Sequence, residues 1–309
     1  MHFVGPLERL RYLMGFAMFT DLPMDEVSLI AQNARDVSFR SGEILIDESR
    51  SLGRAYIIVE GEVRVEGDGP EPPLIRAGEG VGMISLLAGE DPTQRCVATS
   101  EVAALEISGE IFWDILEERF PIYIRIVRNV ASELLLHRQG ILHGTVLAGI
   151  VDPREVPPDR PIELVERLIL MRKAGIFREA SLEAIIELAR SFEERRIPAG
   201  TRLWELWDPS GFAHFLISGT VRCELGDGRI FRATVGYPVG NLESQANEPR
   251  WYTAVAETDL VAFRSETGVF LDVMEDHFDL AEEFLTALAR NVSRTRQRRD
   301  LRGAPRASR

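Results

Sequence analysis

The residues best suited to chemistry fall in one short stretch. Gly240, Asn241 and Leu242 open a run that could form a single short helix, and Arg250 and Thr253 return on the strand after it. A glycine ahead of a helix start lets backbone N–H groups converge on one point, where a guanidinium can add two parallel donors. That is the chemistry of capturing a small anion. Trp251 and Tyr252 stand between the arginine and the threonine; they could stack on a flat ligand or fill the space themselves. The alternative partner for Arg250 is an acidic neighbour within the chain.

Other chemistries find little support. The histidines are His2, His137, His143, His214 and His277, and none is paired at metal-ligand spacing, so no metal is expected. Gly78-Glu-Gly80-Val-Gly82 lacks the later glycine and the βαβ setting of a dinucleotide loop. No Walker loop, nucleophile elbow or Cys–His pair occurs. The chain reads as non-enzymatic, with no cofactor.

The elements that must hold Arg250 are strand-like. Phe212–Ile217 and Thr220–Glu224 are separated by Ser218-Gly219 and followed by Gly226-Asp-Gly228, the pattern of short strands and frequent turns found in all-β rolls. The pattern occurs twice. Gly42, Gly53, Gly61 and Gly82 recur 158 residues later as Gly200, Gly211, Gly219 and Gly240, and Phe112 and Phe120 recur as Phe270 and Phe278. A constant shift over so long a stretch means a duplicated domain. At the first copy's equivalent of the anion site stand Gly82, Met83 and Ile84, with Pro92 or Thr93 in the place of Arg250. Arg95, in the register of Thr253, offers either another route to an anion or a charge on the roll's edge.

Helical periodicity flanks each roll. Leu7, Leu10, Met14 and Met18 repeat at helical spacing within residues 1–36, with a second helix expected from Met24 to Ala34. After the first roll, Phe112, Ile115, Leu116, Tyr123, Ile126, Val130 and Leu134 form one apolar stripe, either core or the seam of a homodimer. The expected fold is α+β, with two tandem β-roll (jelly-roll, double-stranded β-helix) domains, each flanked by N- and C-terminal helices. The first would span 1–145, a proline-rich linker 146–161, the second domain 162–298 and a basic tail 299–309.

The chain has 309 residues and a formal net charge of −13. An acidic body speaks against a general nucleic-acid surface. Arginines cluster from Arg294 to Arg309, as a solvated end or as an arm for an acidic partner. No stretch reaches the roughly 20 apolar residues of a membrane span, and no secretory signal is visible, which leaves the cytoplasm as the expected compartment. Cys96 and Cys223 are the only cysteines and are not equivalent under the shift, so no disulfide is expected. Lys173 is the only lysine, a bias that points to a GC-rich bacterial genome.

The sequence resembles the cyclic-nucleotide-binding domain family of catabolite-activator-type regulators and protein kinase regulatory subunits. Phe39–Glu48, Ala55–Val65 and Gly82–Glu90 carry the resemblance in the first copy, and Ile197–Gly200, His214–Arg222 and Pro249–Thr253 in the second. The resemblance implies a phosphate-binding cassette of the form Phe-Gly-Glu-Leu-Ala-Leu followed by Pro-Arg-Ala-Ala-Thr. There the arginine holds a cyclic phosphate and the glutamate a ribose hydroxyl. The first copy lacks both, with Met83 at the glutamate. The second keeps Arg250, with Asn241 at the glutamate and Glu243 and Gln245 at normally apolar positions. The resemblance thus implies a cytoplasmic signalling protein that takes cyclic AMP or cyclic GMP in its second domain and acts on an unidentified protein partner. The alternative is a pseudo-sensor scaffold that has lost the nucleotide. Only Ser293–Arg309 follow the closing helix, too few for a helix-turn-helix, so no DNA binding by that route is expected.

Overall fold

Alternation decides the strands. In Val221–Glu224, Val221 and Cys223 are buried while Glu224 is exposed, and in Val63–Glu66 Val63 and Val65 take the same inward positions. Arg54–Glu60 is buried from Ala55 through Val59. Tyr56 and Ile58 join the roll's interior. Ala55, Ile57 and Val59 take the opposite face, which packs against the helices Pro6–Met14 and Met83–Ala88.

The computed structural model describes residues 5–19, 21–47, 53–66, 73–90, 94–138, 146–147, 160–173, 177 and 180–300. Pro92 and Thr93, most of the proline-rich linker, most of the loop 71–73 and the end of the basic tail lie outside them. The chain forms two compact units, Met1–Val130 with Leu285–Arg309, and Ala131–Phe284.

Each unit contains a β-roll. In the first, the described strands make two four-stranded antiparallel sheets. One runs in the order Arg35–Phe39, Val102–Ser108, Arg54–Glu60, Gly80–Val81; the other Ile44–Ile46, Arg95–Ala98, Val63–Glu66, Leu74–Ile75. The second roll repeats that order at the same shift of 158. The repetition extends to register, since Arg35 faces Glu106 where Glu193 faces Arg264. It extends to the irregularities too, between Ile58 and Glu60 and between Leu216 and Ser218. Val146–Leu147 lies parallel to Ile230–Ala233 as a fifth strand at the edge of the second roll, with no counterpart among the described residues of the first.

Helices flank both rolls, which makes the fold α+β. Pro6–Met14 and Met24–Asn33 precede the first roll, and Leu164–Lys173 and Leu182–Ser191 the second. The helical reading of residues 1–36 runs slightly long, because Ala34 is already extended and a strand begins at Arg35. The apolar stripe after the first roll is two helices, Gly109–Glu118 and Phe120–Arg138, broken at Arg119 (φ −129°, ψ 70°). Pro121 sits in the first turn of the second helix, where its missing N–H has no helical partner to lose. The same break recurs at His277 (φ −132°, ψ 80°) without a proline. All seven residues of the stripe are buried within the chain. Among the described residues no helix is long and apolar enough to cross a membrane.

Candidate functional site

The site is built around a glycine. The strand Pro238–Val239 pairs with Phe212–Ser218 and delivers the chain to Gly240, whose φ of 83° lies in the left-handed region. A Cβ there would stand 2.5 Å from Arg250 Nη1 and 2.9 Å from the Trp204 ring. Only glycine fits. The helix Asn241–Ala246 follows, closed by Asn247 in a left-handed conformation, and Pro249 returns the chain to Arg250.

Arg250 is fully buried. Its Nη1 donates to Gly240 O at 2.9 Å, Glu243 Oε1 at 3.3 Å and Ser244 Oγ at 3.3 Å, and its Nη2 donates to Phe212 O at 2.7 Å. The guanidinium also lies over the rings of Trp204 and Phe212, 4.1 and 4.7 Å from their centroids, a favourable contact in so dry a place. Glu243 is buried beside it. Burial pushes the Glu243 carboxyl up, and the neighbouring guanidinium and the Tyr252 hydroxyl pull it part of the way back. A charge this deeply buried needs a partner. Arg250 and Glu243 are each other's.

The amide at the helix entry is engaged as well, since Gly240 N donates to Tyr252 Oη at 3.1 Å. The cavity bounded by Gly240, Glu243, Trp251 and Tyr252 measures about 10 Å³, room for about one water. Gly240 N and both terminal nitrogens of Arg250 are thus engaged by the protein's own carboxylate, hydroxyls and carbonyls, while Arg250 Nε has no acceptor. His214 stacks on Trp204 at 6.2 Å, and its pKa is lowered to about 4, by burial first and then by Arg264, Arg250 and Arg195. It is neutral at pH 7.

The other residues singled out in the sequence take distinct places. Leu242 and Trp251 border the same small cavity, and Trp251 stacks on Phe231 at 5.6 Å. Thr253 Oγ1 accepts from Leu206 N at 3.1 Å and so ties down the loop after Trp204. Asn241 lines a different, apolar cavity. In the first copy Gly82 also has a left-handed φ, 86°, but its absent Cβ would meet Ile46 and the Arg54 carbonyl. Met83 and Ile84 are buried in an apolar helix. Arg95 opens the interior strand Arg95–Ala98, is exposed, and pairs with Glu66 at 3.2 Å.

Sequence reasoning missed Trp204 and named the partner of Arg250 only as an acidic neighbour. Two signals were present: Trp204 replaces Ile46 under the repeat shift, and Glu243 puts a carboxylate at a buried cassette position. Among the described residues no three His, Cys, Asp or Glu side chains gather as a metal site would require.

Residues 36–119 match the cyclic nucleotide-binding domain family. A cyclic nucleotide-binding-like protein from Brucella abortus is 31% identical over 35% of this chain and 97% of its own, with a TM-score of 0.31. The chain belongs to the cyclic nucleotide-binding domain family. Two solved regulatory structures span both rolls of this family member at lower identity. One is the regulatory domain of Toxoplasma gondii PKA with cAMP, 12% identical over 91% of this chain and 95% of its own, with a TM-score of 0.35. The other is the regulatory subunit of a cAMP-independent protein kinase A from Trypanosoma brucei, 15% identical over 96% of this chain and 90% of its own, also with a TM-score of 0.35. No curated protein matches the sequence.

Proposed function

We propose that this chain is a non-enzymatic regulatory protein whose two cyclic-nucleotide-binding-family domains serve as an interaction scaffold, with the second cassette held shut by its own Glu243. One observation carries the reading: the Arg250 guanidinium is fully buried and already paired with Glu243 and two backbone carbonyls. The burial of Tyr252 and of Met83, at the cassette positions of the two rolls, supports it. So does a repeated surface feature. Leu7 and Val165 are equivalent under the shift and 82% and 66% exposed, and the equivalent pair Met24 and Leu182 are 59% and 56% exposed. Exposed apolar residues kept at matching places in two copies suit protein partners.

A second reading keeps the second domain as a cyclic AMP or cyclic GMP sensor. It draws on Arg250 Nε, which has no acceptor, and on the proximity of Arg250 to the start of the cassette helix. A cyclic phosphate would then displace Glu243 from the guanidinium. Calorimetry of the full chain with each nucleotide separates the two. The scaffold reading expects no binding to wild type. Binding to wild type that Arg250→Ala abolishes would replace it with the sensor reading.

A further inference from the structure

We infer that Trp207 anchors a further docking site, in the turn bonded to the Arg250 backbone, which takes an arginine-bearing segment of a partner protein. This site rests on the scaffold reading above and names what one face of the scaffold receives. Trp207 is 74% exposed, and its φ is 74°. Asp208 N donates to Glu205 O at 3.2 Å, which makes Trp207 the third residue of a tight turn. A positive φ there is ordinarily met by glycine, and for a bulky side chain it is a genuine outlier. Were the turn alone required, glycine would serve it without strain. Instead the largest of the side chains stands there, turned to water.

The turn is firmly held. Trp207 N donates to Arg250 O at 2.8 Å, and Arg250 N donates to Asp208 O at 2.9 Å. Glu205 N donates to Asp208 Oδ2 at 2.8 Å, and Leu206 N to Thr253 Oγ1 at 3.1 Å. The backbone of a fully buried arginine thus fixes the base of the exposed indole. An aromatic group ordered in advance loses little freedom when a partner covers it, and tryptophan is enriched among the residues that dominate interface energies.

Charge names the partner. Glu205 and Asp208 flank the indole in the turn, and Glu248 lies two residues before Arg250; all three are exposed. Arg202, which pairs with Glu205, offsets one of them. Asp227 and Arg229, in a turn whose Gly226 lies against Leu206, pair with each other. An indole face among surplus carboxylates suits a cation. A guanidinium matches both features, because it stacks flat on an aromatic ring and forks to a carboxylate, whereas an ammonium is a compact, strongly hydrated point charge. An anionic segment would meet like charge instead.

Hexa-arginine and hexa-lysine amides, equal in charge, are the probes. Each carries a fluorescent label whose anisotropy is followed with the full chain in about 150 mM salt, where general attraction to an acidic surface is largely screened. Hexa-arginine should bind saturably and more tightly than hexa-lysine. It should also move one indole N–H signal in nitrogen-15 spectra, the one that is missing from Trp207→Gly. That variant should bind hexa-arginine about fivefold more weakly, the loss of one exposed cation–π contact. It should melt no lower than wild type, because glycine takes the same φ freely. No saturable binding of hexa-arginine, equal binding of the two peptides, or undiminished binding by Trp207→Gly would each overturn the site. So would a variant that melts well below wild type or fails to fold, which would make Trp207 a structural residue. Nucleotide binding to wild type overturns the scaffold reading by a separate measurement, whereas failure of the peptide experiments removes this site alone.

Discussion

Replacing one member of the Arg250–Glu243 pair should cost far more than replacing both. Arg250→Met leaves the Glu243 carboxylate buried without a counter-charge, and Glu243→Met leaves the guanidinium in the same position. Stranding one charge of a buried pair costs about 3–5 kcal/mol. The double variant strands neither. One of the two carbonyls that Arg250 serves also keeps another donor, because the single Ser244 hydroxyl lies 2.6 Å from Gly240 O and 2.9 Å from Phe212 O and can donate to either. Methionine is long and unbranched enough to occupy much of the vacated space. The double variant should therefore lie within about 2 kcal/mol of wild type, as buried pairs replaced by apolar side chains commonly do. Urea unfolding followed by tryptophan fluorescence suits the measurement, since Trp204, Trp207 and Trp251 all belong to the second roll. The deficit of Arg250→Met should also shrink on acidification. Burial already raises the Glu243 carboxyl in the native state, and losing the guanidinium raises it further. Protonation at falling pH thus relieves the folded state before the unfolded one. A single variant costing under about 1 kcal/mol, or a double variant costing as much as the two singles together, would refute the mutual dependence of the two charges.

Three further outcomes follow from the same interior. His214, lowered to about 4 from an ordinary 6.5, contributes stability that is full above pH 6.5 and lost as pH falls toward 4. His214→Phe should remove roughly 3 kcal/mol of that pH dependence, and unfolding curves of both proteins that keep a constant difference from pH 7 to pH 4 would count against it. Gly240→Ala should destabilise by several kcal/mol through its clash with Arg250 and Trp204, whereas Gly200→Ala, also at positive φ but with nothing within 4 Å, should cost only about 1 kcal/mol; equal costs would show that the close approach is unimportant. Cys96, pushed up to about 12 by burial and then by Glu66, and Cys223, raised by burial and then by Glu243, should resist a thiol-disulfide reagent in the native protein and both react in urea. Titration of either thiol in the native state would contradict the burial.

The two rolls were legible because their signals are local. Alternation of apolar residues is a property of neighbouring positions, and so is the need for glycine where φ turns positive. Copying such a segment at a shift of 158 copies both. The anion-binding groups were legible for the same reason, as residue types at a spacing. Their state was not. Whether Arg250 meets a ligand, a solvent-exposed acid or a buried one depends on Trp204, Phe212 and Glu243, which come together only when the roll closes and the cassette helix turns its Glu243 inward. The helix break at Arg119 and the edge strand Val146–Leu147 belong to the same class. Two residues contain too little pattern to announce a strand, and an uninterrupted apolar stripe hides a change of direction. Burial finally set the chemistry: the same arginine that could hold a phosphate in water's reach becomes, once dry, an arginine that must keep its own carboxylate.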